Sequence, residues 1–513
     1  MAKATPDKVP VRRPLIGFDV KALLDLNSAD DYRRFLRIKG LPQRRFVGSV
    51  AEYPDEYARI VEGKAARTKK AEAYTPIAGL FDYQRDIAAL AIKKRKFAVF
   101  AECGLGKSLI DFEYVRHVLA STKGKVMLVC PLMVTYQMRD EVRRFYGDTL
   151  PCEIVRADAL PAWTESKDGE RFGITNFEAI TDRVNQGNLS CIVISESSMM
   201  KNHYGKWATR LIELGKGLDW KLCETGTPAP NDRIEYANHA VFLDQYPTVN
   251  AFLARYFVNR GMTGERWELK PHAVAPFYRD LSHWCIFLSD PAVYGWKDNT
   301  SGIPPIHVHY HDVALTDEQT ELAQAEGKSL FVGASGGFVN RQRMAQISKG
   351  RTKGGRIETL KPEFIRSLVE SFGGESSVVW CRFNEEQDAL AAILPGAASI
   401  SGDTPEDVRR EIIRKFQLGE IKTLISKPKI MGFGLNLQIC TRMVFSSLQD
   451  SYEEYHQSVK RANRYGSTQP LNVHIPFTAI ELPMIENVMR KSRAVQSDTD
   501  TQQLLFKENR FAS

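Results

Sequence analysis

Two series of short apolar runs, each alternating with helical periods, dominate the chain. The first series consists of KFAVFA, KVMLVC, CIVIS and WKLCETG, and the second of SVVWC, KTLIS, RMVFSS and LNVHI. Short apolar strands that alternate with helices are typical of parallel sheets covered by helices on both faces. The sequence therefore predicts the α/β fold class, with two tandem lobes that are each built on a parallel β-sheet.

The remaining segments flank or separate these two lobes, which we assign to residues 76–240 and 346–480. Residues 1–75 combine the stretches DVKALLDL and SADDYRRFLRI with a basic, helix-like run, and they predict a small helical accessory region. Residues 241–345 are rich in aromatic residues, glycine and proline and lack the alternation, so they predict a helical insertion and a linker. Residues 481–513 are charged and helix-like, and we expect this tail to pack back across the lobes.

The charge of the chain is unevenly distributed. The formal net charge is +8, and residues 1–75 alone carry 16 Lys+Arg against 10 Asp+Glu. Such a bias indicates either contact with a polyanion or a solvated basic face. No run of about 18 apolar residues could span a bilayer, and the first residues lack the apolar core of a signal peptide, so a cytoplasmic location is expected. The eight cysteines are scattered singly, which favours reduced, buried side chains.

A glycine-rich loop is the clearest candidate site. The strand KFAVF is followed by AECGLGKS and then by the helical run DFEYVRHVLA. In this layout, backbone N–H groups and a helix N-terminus wrap phosphate groups. The glycines let the backbone approach, the lysine offers its charge to the β- and γ-phosphates of ATP, and the serine offers its hydroxyl to Mg²⁺. The predicted ATP-binding residues are Gly104, Leu105, Gly106, Lys107 and Ser108, and the predicted metal-binding residue is Ser108.

Several motifs, in a fixed order, carry a resemblance to a known family. They are FDYQRD with AECGLGKSL, CIVIS with the following ESSMMKN, the turn TGTP, the run GFGLNLQ, and QSVKRANRYG. Together they span about residues 79–478 and resemble the Swi/Snf-type translocase family within helicase superfamily two. The resemblance implies two RecA-like lobes that close on one ATP and step along nucleic acid.

The resemblance implies roles for two residues of the first lobe. Gln84 would read the adenine edge through its amide, and Glu196 would orient and polarise the attacking water. Directly before Glu196, where the family has an aspartate that holds the Mg²⁺ shell, this chain has Ser195. A hydroxyl carries no charge, so metal affinity should fall unless another carboxylate compensates.

In the second lobe the resemblance implies four further contacts. Gly434 would let the backbone lie against sugar or phosphate. Gln457, Arg461 and Arg464 belong to the last motif, and with Glu196 they are the predicted catalytic residues. On a helix, Arg461 and Arg464 would be i, i+3 neighbours on one face and would reach the γ-phosphate across the cleft.

The resemblance also implies a groove for nucleic acid. Thr135, Asn176 and Thr404 match the segments that hold the tracking strand by its phosphates. Short hydroxyl and amide side chains suit contacts that do not depend on base sequence. Each of the three could equally be a helix cap or a turn residue.

These features favour an ATPase that translocates on double-stranded DNA and remodels DNA or protein–DNA complexes. A strand-separating helicase is a close alternative, although no wedge hairpin is visible in the sequence. A nucleotide-gated DNA-binding or scaffold protein is the alternative from another class, because Ser195 could have removed most turnover. The sequence does not separate DNA from RNA as the partner.

Overall fold

The computed structural model describes most of the chain, and it contains two parallel sheets. The described residues are 20–25, 27–39, 41, 44–53, 57, 61, 74–202, 205–261, 266–297, 302–329, 336–352, 354–431, 436–446, 448 and 451–511. Each sheet carries helices on both faces, so the prediction of two tandem RecA-like lobes is confirmed. All eight apolar runs of the sequence form strands of these sheets.

The first lobe is a seven-stranded sheet in which every neighbouring pair is parallel. Its central strands are buried along nearly their whole length, which explains why they read as continuous apolar runs. In spatial order the strands are Cys285–Leu288, Lys96–Ala101, Trp220–Glu224, Leu189–Ser195, Lys125–Cys130, Phe172–Asn176 and Glu153–Ile154.

Helices cover both faces of this sheet and bury one apolar cluster on each side. The helix Lys107–Ser121 follows the first apolar strand after the glycine-rich loop and is buried over most of its length, including the polar residues Asp111, Glu113 and His117. The other helices of this part of the chain are Asp82–Lys94, Thr135–Tyr146, Leu160–Glu165, Lys206–Leu214, Tyr236–Phe242, Val249–Tyr256 and Val274–Trp284.

The second lobe is a six-stranded sheet, again with parallel pairs throughout. In spatial order its strands are Ile306–Asp312, Leu471–Phe477, Arg442–Phe445, Ser377–Trp380, Thr423–Ser426 and Ala398–Ser399. Its helices are Asp317–Ser329, Gly336–Ser348, Lys361–Glu370, Asn384–Ile393, Glu406–Gln417, Pro428–Met431 and Tyr452–Ala462. Two apolar clusters fill its two faces.

The range 241–345 is more than a helical insertion and linker. Cys285–Leu288 pairs with Lys96–Ala101 in the first sheet, and Ile306–Asp312 pairs with Leu471–Phe477 in the second. The first of these strands has only four residues and directly follows a helix, so its apolar run merges with the helical pattern. The second is the polar run IHVHYHD on a sheet edge, where a continuous apolar pattern is not required.

The N-terminal region contains a sheet that the sequence did not predict. Val20–Leu23, within the stretch interpreted as helix-like, is a strand of a three-stranded antiparallel sheet with Val50–Tyr53 and Arg45–Val47. The helix Ala29–Lys39, within the stretch SADDYRRFLRI, packs on this sheet. Most of the basic run after Tyr53 lies outside the described residues.

The C-terminal helix Leu482–Phe511 contacts both lobes. Val488 belongs to the core of the second lobe, whereas Phe506 belongs to the core of the first. Between them, Asp498 accepts hydrogen bonds from Arg233 Nη2 at 2.6 Å and from Tyr278 Oη at 2.7 Å. Among the described residues, no helix has the length and apolar character that a membrane span requires.

Candidate functional site

The glycine-rich loop connects Lys96–Ala101 to the helix Lys107–Ser121. Gly104 and Gly106 adopt φ angles of +92° and +65°, which non-glycine residues rarely adopt. A Cβ on Gly104 would lie 3.1 Å from Cβ of Arg464 in the second lobe. The loop therefore needs glycine for its backbone conformation and for the close approach of the opposite lobe.

Gln84 lies against this loop rather than in open space. Its Nε2 donates to the carbonyls of Leu105 and Gly106, both at 3.2 Å, and its Oε1 accepts from the Phe81 N–H at 3.0 Å. A Cβ on Gly106 would lie 2.4 Å from Gln84 Nε2. With these bonds in place, Gln84 fixes the shape of the loop, and adenine reading by this amide stays a prediction.

Lys107 and Ser108 begin the helix, as expected for a phosphate-binding loop. The Lys107 side chain is largely buried, and its Nζ lies 3.3 Å from Oε1 of Glu224. An ammonium group at a helix N-terminus that follows a glycine-rich loop is the charge arrangement that binds phosphate. Its present partner is a carboxylate, for which the ATP phosphates could substitute.

Glu224 is a site residue that the sequence analysis missed. It is the last residue of the strand Trp220–Glu224, and it is directly paired with Ser195 on the neighbouring strand. Ser195 Oγ donates to Glu224 Oε2 at 2.7 Å, and the glutamate is only 2% exposed. The available signal was an acidic residue immediately before the TGTP turn, at the end of an otherwise apolar strand.

Glu196 follows the strand that ends at Ser195, and its backbone is strained. Its φ of +57° and ψ of +51° place it in the left-handed region, at a cost of about 1–2 kcal/mol for a residue with a Cβ. Thr225 Oγ1 donates to Glu196 Oε2 at 3.3 Å. Across the cleft, Arg461 Nη2 lies 3.6 Å from Glu196 Oε1, so the structure brings together two predicted catalytic groups from different lobes.

The two predicted arginines do not share a helix face. The helix Tyr452–Ala462 contains Arg461 but ends before Arg464, because Asn463 leaves the helical conformation with φ −94° and ψ 92°. The prediction that Arg461 and Arg464 lie on one face of a single helix is therefore wrong. Arg464 nevertheless reaches the same cleft, where its Cβ faces Gly104. Burial lowers the pKa of Arg464, and the charge of Arg461 lowers it further, so two cations are confined where an anion would bind.

Further contacts between the lobes surround this point. Gln457 Nε2 donates to Thr227 Oγ1 of the TGTP turn at 3.4 Å, and Thr227 Oγ1 also lies 3.4 Å from Glu453 Oε1. His456 Nε2 lies 2.8 Å from Glu102 Oε1 in the glycine-rich loop. The TGTP turn and the last motif are thus in direct contact. Gly434 lies outside the described residues.

A buried histidine connects the segment after Glu196 to the helix after the TGTP turn. His239 Nε2 accepts from Ser197 Oγ at 3.0 Å, and Nδ1 donates to the Glu235 carbonyl at 3.3 Å. Burial lowers the pKa of His239 to about 4. The imidazole is therefore neutral in the folded protein at neutral pH.

This histidine gives a pH dependence of stability. Its pKa is about 4 when folded and 6.5 when unfolded, so the unfolded state binds more protons between these values and stability falls as pH falls from about 6.5 to about 4. His239 should contribute a loss of about 2 kcal/mol between pH 7 and pH 5. Urea unfolding followed by tryptophan fluorescence at both pH values measures this, and His239→Gln should show a smaller difference. An equal pH dependence in the variant would contradict the assignment.

The three predicted nucleic-acid residues make local hydrogen bonds. Thr135 is buried and donates to the Leu132 carbonyl at 2.9 Å. Asn176 Oδ1 accepts from the Ala179 N–H at 3.0 Å, as an N-cap does. Thr404 Oγ1 accepts from the Ser401 N–H at 2.9 Å. These are the cap and turn contacts that the sequence left as an alternative, and a phosphate contact stays a prediction for each.

A basic cleft lies between the lobes beside Thr404. Its volume is about 670 Å³, and its walls are the helices Thr135–Tyr146 and Glu406–Gln417. The Arg410 guanidinium lies 3.9 Å from the centre of the Tyr136 ring, so the two walls are in contact. Five arginines, which the sequence did not identify as a group, outnumber the three acidic residues of the lining. The arginines are Arg139, Arg144, Arg409, Arg410 and Arg414, and the acidic residues are Asp140, Glu141 and Glu406.

The second lobe carries a match to a known family. Residues 360–466 match the model of the helicase conserved C-terminal domain. Over this range the chain is similar to helicases, in agreement with the resemblance to Swi/Snf-type proteins of superfamily two. The matched range of this helicase-like protein includes Gln457, Arg461 and Arg464, which face the glycine-rich loop.

Individual proteins similar to this helicase-like chain come from phages, vertebrates and archaea. Protein p41 of the Acyrthosiphon pisum secondary endosymbiont phage 1 is 25% identical over 317 residues, covering 55% of this chain and 65% of that protein. The DNA annealing helicase and endonuclease ZRANB3 of Bos taurus is 21% identical over 427 residues, covering 77% of this chain and 38% of that protein. The chain thus spans less than two thirds of either relative. The Sulfolobus solfataricus SWI2/SNF2 ATPase core in complex with dsDNA is 19% identical with a TM-score of 0.39, covering 84% of this chain and 96% of that chain.

Helicase-family ATPases use ATP and generally Mg²⁺, and the residues of this helicase-like protein fit such a metal. Mg²⁺ prefers oxygen ligands and keeps several waters, with one or two carboxylates and the phosphates completing its shell. Ser108 offers a hydroxyl, and Glu224 Oε1 is buried without a hydrogen-bond partner among the described residues. That part of the chain has no cluster of three or more His, Cys, Asp or Glu side chains able to hold a metal ion.

Proposed function

We propose that this chain hydrolyses ATP to translocate along double-stranded DNA. The observation that carries the proposal is the contact of Glu196 in the first lobe with Arg461 in the second, at 3.6 Å beside the glycine-rich loop. A site assembled from both lobes can couple the state of the nucleotide to the distance between the lobes. That coupling is what a stepping motor requires.

Each residue has a distinct role in this proposal. Lys107 would neutralise charge on the β- and γ-phosphates, and Glu196 would orient the attacking water. Arg461 would stabilise the charge that develops on the transferred phosphoryl group. ATP binding would replace the Arg461–Glu196 ion pair by a contact of Arg461 with phosphate, which frees the Glu196 carboxylate to hold the water.

The basic cleft supports DNA as the track. Its arginines come from helices of both lobes, so a backbone held there would respond to movement of one lobe against the other. The relative ZRANB3 is named a DNA annealing helicase, which also favours DNA. Contacts made through guanidinium groups and turn residues suit a track that is gripped without reading its base sequence.

An ATPase assay with different nucleic acids tests the proposal. The rate of phosphate release should rise when double-stranded DNA is added, and it should rise less with single-stranded DNA or RNA. A rate that no nucleic acid changes would favour the nucleotide-gated scaffold. Stimulation by single-stranded DNA alone, with separation of a labelled duplex, would favour the strand-separating helicase.

The affinity for DNA should depend steeply on salt. Each phosphate contact contributes about 0.9 to the slope of log K against log salt on duplex DNA. Arg410→Ala should therefore reduce the magnitude of the slope of log K against log salt by about 0.9, and it should weaken binding equally for different duplex sequences. Fluorescence anisotropy titrations at several salt concentrations measure both quantities.

Arg366 provides a matched control for this titration. Like Arg410, it is an arginine of a second-lobe helix that is paired with glutamate and partly open to solvent, with side-chain exposures of 41% for Arg366 and 54% for Arg410, but it does not line the cleft. Arg366→Ala should leave the salt slope unchanged. If the two variants change the slope equally, or if one DNA sequence is strongly preferred at constant salt, the cleft is not the DNA track.

A further inference from the structure

We propose that Glu224 supplies the carboxylate of the Mg²⁺ shell in this chain, and that Ser195 holds that carboxylate in place. The family position for this carboxylate is occupied by Ser195, whose hydroxyl carries no charge. The inference rests on the proposed function only in requiring that ATP with Mg²⁺ binds the glycine-rich loop.

The strand register places the two residues side by side. Leu189–Ser195 and Trp220–Glu224 are adjacent parallel strands, and Ser195 is directly paired with Glu224 at their carboxyl ends. Ligands of parallel α/β sheets bind beyond these ends. The Glu224 carboxylate therefore starts from the strand next to that of Ser195, at the same ligand-binding edge of the sheet.

Side-chain length accounts for the choice of glutamate. Neighbouring strands lie about 4.8 Å apart, so a carboxylate that starts from the next strand must reach sideways to serve the same position. Glutamate has one more methylene group than aspartate and can extend further. Ser195 Oγ fixes the end of this longer side chain by donating to Glu224 Oε2 at 2.7 Å.

The other carboxylate oxygen is the one available to a ligand. Glu224 Oε1 is buried, accepts no hydrogen bond within the described part of the chain, and lies 3.3 Å from Lys107 Nζ. A buried carboxylate oxygen without a hydrogen bond is costly unless a ligand completes its shell. Lys107 precedes Ser108, the predicted metal-binding hydroxyl, so the oxygen lies on the phosphate side of the site.

Asp111 is the competing carboxylate, and its surroundings do not suit a metal. It is fully buried in the helix Lys107–Ser121, and neither of its oxygens accepts a hydrogen bond from a described residue. Burial raises its pKa well above the usual range. A neutral carboxylic acid is a poor ligand for Mg²⁺. Lys107 also acts on Asp111, but its ammonium group forms an ion pair with Glu224, at 3.3 Å from Oε1.

Binding of Mn²⁺ in place of Mg²⁺ tests the proposal without turnover or DNA. Free Mn²⁺ is measured by electron paramagnetic resonance in the presence of the protein and a non-hydrolysable ATP analogue. Glu224→Gln keeps the shape and the bond from Ser195 but removes the charge. It should weaken Mn²⁺ binding about 10- to 100-fold, while binding of the analogue without metal should not weaken. The double variant Ser195→Asp with Glu224→Gln should recover the Mn²⁺ affinity, because it returns the carboxylate to the neighbouring strand.

Two further variants make the result decisive. Ser195→Ala should weaken Mn²⁺ binding about 10-fold, since the glutamate loses its positioning bond, and this variant keeps the test open if Glu224→Gln does not fold. Asp111→Asn should leave Mn²⁺ binding unchanged. Unchanged Mn²⁺ affinity in Glu224→Gln and Ser195→Ala, or an equal loss in Asp111→Asn, would overturn the proposal. Loss of Mn²⁺ binding in a protein that never moves on DNA would support Glu224 as ligand and reject only the translocase.

Discussion

Replacing Arg461 by alanine is expected to lower the rate of ATP hydrolysis by about 10³- to 10⁵-fold, which is the range for a lost arginine finger. The loss should appear in kcat, because the guanidinium acts on charge that develops in the transition state. Affinity for a non-hydrolysable ATP analogue should change far less. Steady-state phosphate release, with and without duplex DNA, measures the first quantity, and analogue titration measures the second.

The control for this experiment is an arginine outside the site. Arg490 is exposed on the C-terminal helix, where it donates to Asn487, and Arg490→Ala should keep the wild-type rate. Because Arg461 also pairs with Glu196, thermal melting of both variants is needed to show that the lobes remain folded. Near wild-type turnover in Arg461→Ala would mean that this residue does not face the γ-phosphate.

Replacing Lys107 by alanine should remove nucleotide binding as well as turnover. An ammonium group that donates to two phosphate oxygens contributes at least about 1.5 kcal/mol per bond, so ATP affinity should fall roughly 100-fold or more. When no metal is present the loss is enlarged, because Glu224, whose Oε1 lies 3.3 Å from Lys107 Nζ, would then face the phosphates without a cation. Titration with a fluorescent ATP analogue measures the change.

The repulsion between Glu224 and the phosphates can be separated from the loss of the bonds that Lys107 donates to the phosphates. In the double variant Lys107→Ala with Glu224→Gln, the repulsion between carboxylate and phosphate is gone, and metal-free analogue binding should recover in part. If Lys107→Ala binds the analogue as tightly as the wild type, the nucleotide site lies elsewhere in the molecule.

The sequence was sufficient to predict the lobes and the loop because both depend on local patterns. Buried parallel strands such as Lys125–Cys130 must be apolar on both faces, so their runs are visible. Gly104 and Gly106 indicate the backbone conformation of the loop, and Lys107 adds the charge for phosphate, all within a few residues. Neither prediction depends on the order of the strands in the sheet.

Features that depend on strand order or on an exact helix end could not be predicted. Glu224 lies next to Ser195 only because their strands are adjacent in the sheet, although 29 residues separate them in sequence. Arg464 falls outside its helix because the chain turns at Asn463, which no pattern in the motif indicates. The strand Ile306–Asp312 is polar, since it lies at a sheet edge.

The basic cleft is a further feature that could not be predicted, because it is formed by residues distant in sequence. Arg139 and Arg410 lie on helices of different lobes, and each is an ordinary arginine of a charged helix in the sequence. Their common environment exists only after the two lobes are placed side by side. The predicted residues Thr135 and Thr404 are on the same helices or loops, but their hydroxyls are engaged by the backbone.

Displacement of a third DNA strand is the most direct test of ATP-driven movement along a duplex. A fluorescent oligonucleotide is bound as a triplex at one end of linear duplexes of increasing length, and its release is followed after ATP is added. We expect release with ATP but not with a non-hydrolysable analogue, a lag that grows with duplex length, and no release by Glu196→Gln. Release without ATP hydrolysis, or no release while duplex DNA stimulates the ATPase, would contradict the account of this chain as a double-stranded DNA translocase.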